Sequence, residues 1–138
     1  MRIIGTGVSA ISVALLCSGA ALAQTAYLEG HVFNKRSGVP IEGASVLIYE
    51  NVSHGPVPIL LANTFTDGNG FYEAEVASDL RFSAIHVFCR TPGGVVVRGS
   101  SRAPLQEGVI RRRDVYLEVP RRLKECLAPQ PGDIPPLR

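Results

Sequence analysis

The strongest constraint in this sequence is its rhythm. Apolar side chains recur at every second position in short bursts, and glycine or proline separates one burst from the next. Along Tyr27–Asn34, Leu28, Gly30 and Val32 fall on one side and Glu29, His31 and Lys35 on the other. A period of two is that of a half-buried strand. Further segments follow it: one opening at Gly43 with Ala44, Val46 and Ile48 on a single face, then Leu61–Thr66, Phe71–Val76, Arg81–Arg90, Val95–Gly99 and Val109–Val119. The 14 Gly and 10 Pro suit turns between short strands better than helices. Asp67-Gly68-Asn69-Gly70 predicts a hairpin and Pro92-Gly93-Gly94 another turn, while Asn51–Leu60, with Gly55, Pro56 and Pro58, predicts a loop. Seven short strands with such spacing predict an all-β, seven-stranded Greek-key β-sandwich. Past Pro120 the pattern fades, and Pro129, Pro131, Pro135 and Pro136 mark residues 120–138 as a Pro-rich, mobile C-terminal tail, with a short helix over Arg121–Leu127 as the alternative.

The first 23 residues have a different character. Arg2 precedes an apolar run from Val8 to Leu16, and Ala21-Leu22-Ala23 puts small residues where a signal peptidase reads them. The segment predicts a signal peptide cleaved between Ala23 and Gln24, leaving a sandwich over residues 24–119. A membrane anchor is the competing reading, since Ile3–Ala23 nearly spans the ~20 residues a bilayer needs, but its glycines and serines and the missing basic stop-transfer cluster argue against it. Leu16 directly before Cys17 argues against lipidation. Export places the mature chain in the periplasm or outside the cell. There Cys89 and Cys126 are expected to form a disulfide, closing a loop worth about 4 kcal/mol on the chain-entropy model. Two cysteines alone offer too few ligands for a metal, and no cofactor is expected.

Charge divides the chain. Residues 24–80 hold seven acidic and two basic residues, whereas residues 81–138 hold five acidic and eleven basic ones, within a formal net charge of +2 for the whole. A sandwich can interleave such halves, so the division need not reach the surface.

Three segments share a family look: Leu28-Glu29-Gly30-His31-Val32, Gly38-Val39-Pro40-Ile41-Glu42-Gly43-Ala44-Ser45-Val46, and Thr66-Asp67-Gly68-Asn69-Gly70-Phe71-Tyr72. Together they make residues 26–119 resemble the carboxypeptidase regulatory-like domain of the transthyretin (prealbumin)-like β-sandwiches. Each piece also has a folding reason: Gly38 and Pro40 turn the chain, Gly43-Ala44 are small where strands start close together, Asp67 can cap its turn, and Gly70 can take a positive φ. The resemblance implies a non-enzymatic accessory module.

Each candidate site also has a plainer role. Hydroxyisourate hydrolases share the transthyretin-like fold, but their C-terminal Tyr-Arg-Gly-Ser is replaced here by Ile134-Pro135-Pro136-Leu137-Arg138, and His31, His54 and His86 lack motif context. Asp67, Asn69 and Glu73 offer fewer oxygens than the six to eight calcium takes. Lys35, Glu73 and Asp114 could imitate an isopeptide triad, except that Lys35 sits at a turn. Asn51-Val52-Ser53 is a glycosylation sequon that a bacterial-looking signal peptide makes irrelevant. Arg111, Arg112 and Arg113, with Arg121, Arg122 and Lys124, could meet an anionic surface or merely protect a strand edge. Finally, Phe33, Leu47, Tyr49, Phe88 and Tyr116 are apolar residues at outward positions. If they adjoin, they make a patch for a ligand or partner. The resulting surface candidates are Phe33, Leu47, Tyr49, Phe88, Tyr116, Arg111 and Arg113. The expected function is binding, to an envelope protein or, as an alternative, to a glycan or lipid, with no nucleic acid and at most peripheral membrane contact. Oligomeric state is left open.

Overall fold

A computed structural model describes residues 25–50, 59–77 and 82–134. The signal peptide, its Ala23–Gln24 cleavage point and His54 lie outside the described residues. The described chain is all-β, with eight strands: β1 (Thr25–Asn34), β2 (Ser45–Glu50), β3 (Leu60–Phe65), β4 (Phe71–Ala77), β5 (Phe82–Arg90), β6 (Val96–Pro104), β7 (Ile110–Arg112) and β8 (Val115–Leu117). They form two sheets. In one, β1 lies between β4 and the β7/β8 line; the other runs β3-β2-β5-β6.

The alternating residues close the space between the sheets. Ala26, Leu28 and Val32 of β1 and Tyr72 and Val76 of β4 meet Val46 and Ile48 of β2 and Ile85, Val87 and Cys89 of β5. Each has 5% or less of its surface exposed, so this one layer supplies the main hydrophobic stabilisation.

The seventh expected strand is split. β7 and β8 run parallel to β1 in one unbroken register, Tyr27 opposite Ile110 and Val32 opposite Val115. Between them the Arg113 backbone passes directly over Gly30. A Cβ there would overlap the Arg113 carbonyl oxygen and lie 2.6 Å from its carbon. Asp114 then substitutes its side chain for a backbone acceptor, taking the His31 N–H at 2.8 Å. The Tyr72 hydroxyl donates to the Arg113 carbonyl at 2.6 Å. The strand is therefore pinned where its ladder is interrupted.

The three segments that carry the family resemblance meet in space. Val32 N–H donates to Gly70 O, Ile41 N–H to Val32 O, and Gly43 N–H to Thr66 O. The buried Thr66 hydroxyl accepts from Ala44 N–H and donates to Ile41 O. Gly70 has φ of 73° and packs where any Cβ would come within 2.8 Å of Pro40. Asp67 Oδ1 accepts from the Asn69 and Phe71 N–H groups. This turn is not the expected hairpin: β3 and β4 belong to different sheets, and the turn is the corner that carries the chain across. β6 runs five residues beyond its expected end at Gly99, because the polar Ser100–Pro104 stretch pairs with β5 at the sheet's edge.

The C-terminal segment also departs from expectation. Residues 120–134 are docked, and no helix forms at Arg121–Leu127. Leu123 and Cys126 are buried in the main core. Cys126 is disulfide-bonded to Cys89, with the Cα atoms 5.3 Å apart. Around that bond, Glu42 N–H donates to Lys124 O, Cys126 N–H to Glu42 O and Leu127 N–H to Arg90 O. Asn34, fully buried at the end of β1, donates through Nδ2 to the carbonyls of Pro120, Arg121 and Leu123 while Oδ1 accepts from Arg36 and Ser37. Prolines remove backbone donors without freeing the segment here, because other groups supply its hydrogen bonds.

Candidate functional site

The apolar residues at outward positions separate into two groups on opposite sides of the molecule. Leu47, Tyr49 and Phe88 share the outer face of the β3-β2-β5-β6 sheet, but they are only 6–8% exposed. Val96 and Ile134 pack against them, and Asp133 anchors that end of the chain by an ion pair with Arg90 at 2.7 Å. These three residues form a second small core beneath the C-terminal segment. They do point outward as expected, but that cover corrects their place among the exposed surface candidates, and they do not adjoin Phe33 and Tyr116. Burial raises the Tyr49 phenol above its ordinary value. Burial, and then the charge of Arg98, lower the His86 imidazole, whose ring meets Tyr49 edge-on at 5.6 Å.

The other outer face, on the β4–β1–β7/β8 sheet, is open among the described residues. The register sets its side chains in rows. Tyr27 lies between Glu75 and Ile110, and Glu29 between Glu73 and Arg112. His31 is opposite Phe71, and Phe33 is opposite Tyr116. The rings make a continuous strip: Phe71 to His31 at 5.3 Å, His31 to Phe33 stacked at 5.5 Å, and Phe33 to Tyr116 at 5.4 Å. Tyr116 is 56% and Ile110 60% exposed. A shallow depression bounded by Tyr27, Glu29, Glu73, Glu75 and Ile110 continues the face beyond the strip. Polar groups interleave with the rings. Arg112 bonds Glu29 at 2.8 Å, and that carboxylate raises the guanidinium further above its ordinary value. Asp114 lies 3.9 Å from the His31 ring. Backbone N–H groups of Phe71 and Asn69, with a smaller contribution from the His31 charge, keep Asp67 below the ordinary carboxylate value.

Of the basic candidates, Arg111 and Arg113 lie on the opposite side of their strand from Ile110 and Arg112. Arg113 Nε donates to the Arg102 carbonyl of β6, joining the two sheets at their open side, and Nη1 donates to the Arg112 carbonyl. Arg111 reaches Gln106. Neither joins the aromatic strip. Strand parity singles out Arg112 as the arginine that does, and the Glu29–Arg112 pairing needed the parallel register that sequence does not supply. Lys35 is exposed at its turn, and the Asp114 oxygen is taken by the His31 N–H. Among the described residues, no three His, Cys, Asp or Glu side chains gather as a metal site.

No protein-family profile matches the sequence, and no curated protein is significantly similar to it. Three solved structures match part of the chain. A DUF3823 family protein from Parabacteroides merdae ATCC 43184 matches over 70% of this chain and 47% of its own length, at 14% identity and a TM-score of 0.50. A 9R-lipoxygenase from Cyanothece PCC8801 matches over 70% of this chain and 17% of its own length, at 15% identity and a TM-score of 0.46. The shaft pilin SpaA from Lactobacillus rhamnosus GG, as an E269A/D295N double mutant, matches over 69% and 50%, at 11% identity and a TM-score of 0.37. This chain thus spans half or less of each of these proteins. The first supports a β-sandwich.

Proposed function

We propose that this chain is an exported, non-enzymatic binding module of the carboxypeptidase regulatory-like, transthyretin-like kind, and that it works in the bacterial envelope by holding another protein against the outer face of its β4–β1–β7/β8 sheet. The observation that carries this reading is the contrast between the two outer faces. One is occupied by the protein's own C-terminal segment. The other presents Tyr27, His31, Phe33, Ile110, Arg112 and Tyr116 together, a mixture of rings, aliphatic surface and a paired arginine. That mixture is the composition of protein–protein contact surfaces. Removal of residues 1–23 and residence in an oxidising compartment agree with the Cys89–Cys126 bond, because such bonds persist outside the cytosol.

A photo-crosslinking residue placed in living cells at Tyr116, at Ile110 and at Ser100 on the other outer face tests the proposal. One envelope protein should be captured from the first two positions and not from the third, and Phe33→Ala should abolish capture. Equal capture from Ser100, or none from Tyr116 and Ile110, refutes it. The Phe71–His31–Phe33–Tyr116 strip with Asp114 beside it favours a second reading, a glycan whose sugar rings stack on the aromatics. Saturable glycan binding lost in Tyr116→Ala would replace the first reading with the second.

A further inference from the structure

The ends of the two sheets are not equally protected. An edge strand offers unpaired N–H and C=O groups to any other strand, and charge is the usual defence. β4 carries Glu73 and Glu75, and β6 carries Arg98 and Arg102. The β7/β8 edge carries Arg111 and Arg112 and is broken into two short pieces. β3, Leu-Leu-Ala-Asn-Thr-Phe over residues 60–65, has neither charge nor proline, and Ile59 and Thr66 on either side add none. Both of its ends are apolar and exposed, Leu60 at 45% and Phe65 at 56%, with the neighbouring Ile59 at 57%, and Asn63 is the exposed polar residue between them. No described strand pairs with its outer side.

We propose that β3 is the contact of a homodimer, pairing antiparallel with β3 of a second copy of this chain across a two-fold axis. The occupant follows from charge. An isologous contact sets each strand against itself. β4 on its own copy can bring Glu73 against Glu75, and β6 can bring Arg98 against Arg102; like charges directly opposite are unfavourable. β3 meets itself without that conflict. Parity then fixes the register. Val46 and Ile48 face the core, and they lie opposite Thr64 and Ala62. An axis through Asn63 sets Ala62 opposite Thr64 of the second copy, both on the core side, and Asn63 opposite its own equivalent. The register shift at Ile48/Tyr49 ends the regular stretch at Leu61, so the contact is short. A small interface of this kind gives a weak, concentration-dependent dimer. It joins the two β3-β2-β5-β6 sheets into one and leaves both β4–β1–β7/β8 faces free, so that a dimer offers two copies of the proposed binding face. The dimer itself does not depend on that proposal.

Sedimentation velocity on the purified, oxidised protein over a concentration series reads the association directly. A reversible dimer is expected, unweakened at about 0.5 M salt, where exposed charge pairs are screened. Asn63→Lys and Asn63→Asp should each weaken it by roughly fivefold or more, and an equimolar mixture of the two should restore association as a heterodimer, because the axis sets residue 63 against itself. Asn63 is exposed, and circular dichroism and melting of each variant establish that it folds. Restoration in the mixture supports the proposal even if each variant is less stable than the parent. A monomer at every concentration overturns the proposal. So does a dimer that salt or Arg102→Glu abolishes and Asn63→Lys does not.

Discussion

Replacing Gly30 with alanine should be among the most damaging single-atom additions this fold can receive. Its backbone is not in the left-handed region, so alanine suffers no conformational penalty and would even gain about 0.5–1 kcal/mol from a stiffer unfolded chain. The cost is steric. The new Cβ would overlap the Arg113 carbonyl oxygen and lie 2.6 Å from the Arg113 carbon and 3.1 Å from the Tyr72 ring. Ordinary carbon contacts need about 3.5 Å, and a backbone obstacle cannot rotate away. The Arg113 peptide must therefore retreat. Its retreat strains the 2.6 Å bond from the Tyr72 hydroxyl, the 2.9 Å bond from Arg113 N–H to Glu29 O and the 2.8 Å bond from His31 N–H to Asp114. Orphaning the buried tyrosine hydroxyl costs about 1–3 kcal/mol, and overpacking costs about 1–3 kcal/mol more. After the alanine gain is subtracted, the net loss is roughly 1–5.5 kcal/mol. Urea unfolding followed by circular dichroism measures it. Gly94→Ala is the internal standard: φ there is 86° and nothing lies within 4 Å, so only the left-handed backbone is penalised, by roughly 1–2 kcal/mol. A Gly30→Ala protein as stable as the parent would refute the close approach of the β7/β8 connection to β1.

Asn34→Ala removes a fully buried side chain that holds three carbonyls and two N–H groups; a loss of about 2–4 kcal/mol is expected in the same unfolding assay, and a neutral result would mean that the 120–123 turn is held by other contacts. Replacing Cys89 and Cys126 together by alanine opens a loop of sequence separation 37, and the parent should exceed the variant by about 4 kcal/mol in denaturant; equal midpoints would show that the bond adds nothing to the folded state. The His86 imidazole is held below its ordinary 6.5 by burial and then by Arg98. The unfolded chain therefore binds that proton more readily, and the contribution is complete above pH 6.5 and declines as pH falls towards the folded value. His86→Gln should flatten that acid-side decline in thermal melts, and an unchanged slope would refute the assignment.

The strand content was legible because alternation reports directly on which side chains leave water. Leu28, Val32, Val46, Ile48, Ile85 and Val87 follow their parity into the core. Pairing was less legible. Thr66–Gly70 has hairpin chemistry, but the same residues serve a corner, and nothing local distinguishes a turn that returns to its own sheet from one that leaves it. Ser100–Pro104 lacked a signal because an edge strand facing water needs little apolar surface. Asn34 was missed as a structural centre. Its position before Lys35-Arg36-Ser37-Gly38 does suggest a turn-capping side chain, but its three carbonyl partners come from 86 to 89 residues further along. The candidate site was half legible: Phe33 and Tyr116 are on the open face, whereas Leu47, Tyr49 and Phe88 have the parity of surface residues and the burial of core residues.

That last discrepancy has one physical cause. Parity states which side of a sheet a residue occupies, and it is silent on what later covers that side. Here the cover comes from the chain's own end, and its position follows from a few fixed points. Cys126 is bound to Cys89 on the core side of β5. Leu127 then pairs with Arg90, Arg90 turns its guanidinium to Asp133, and Ile134 arrives over Leu47, Tyr49 and Phe88. The end of the segment suits an apolar surface, since Pro129 and Pro131 bring no N–H and those of Gln130 and Asp133 donate to Asp133 Oδ2 and the Gln130 carbonyl. The sandwich thereby uses one outer face to seat residues 127–134, and the other stays open among the described residues.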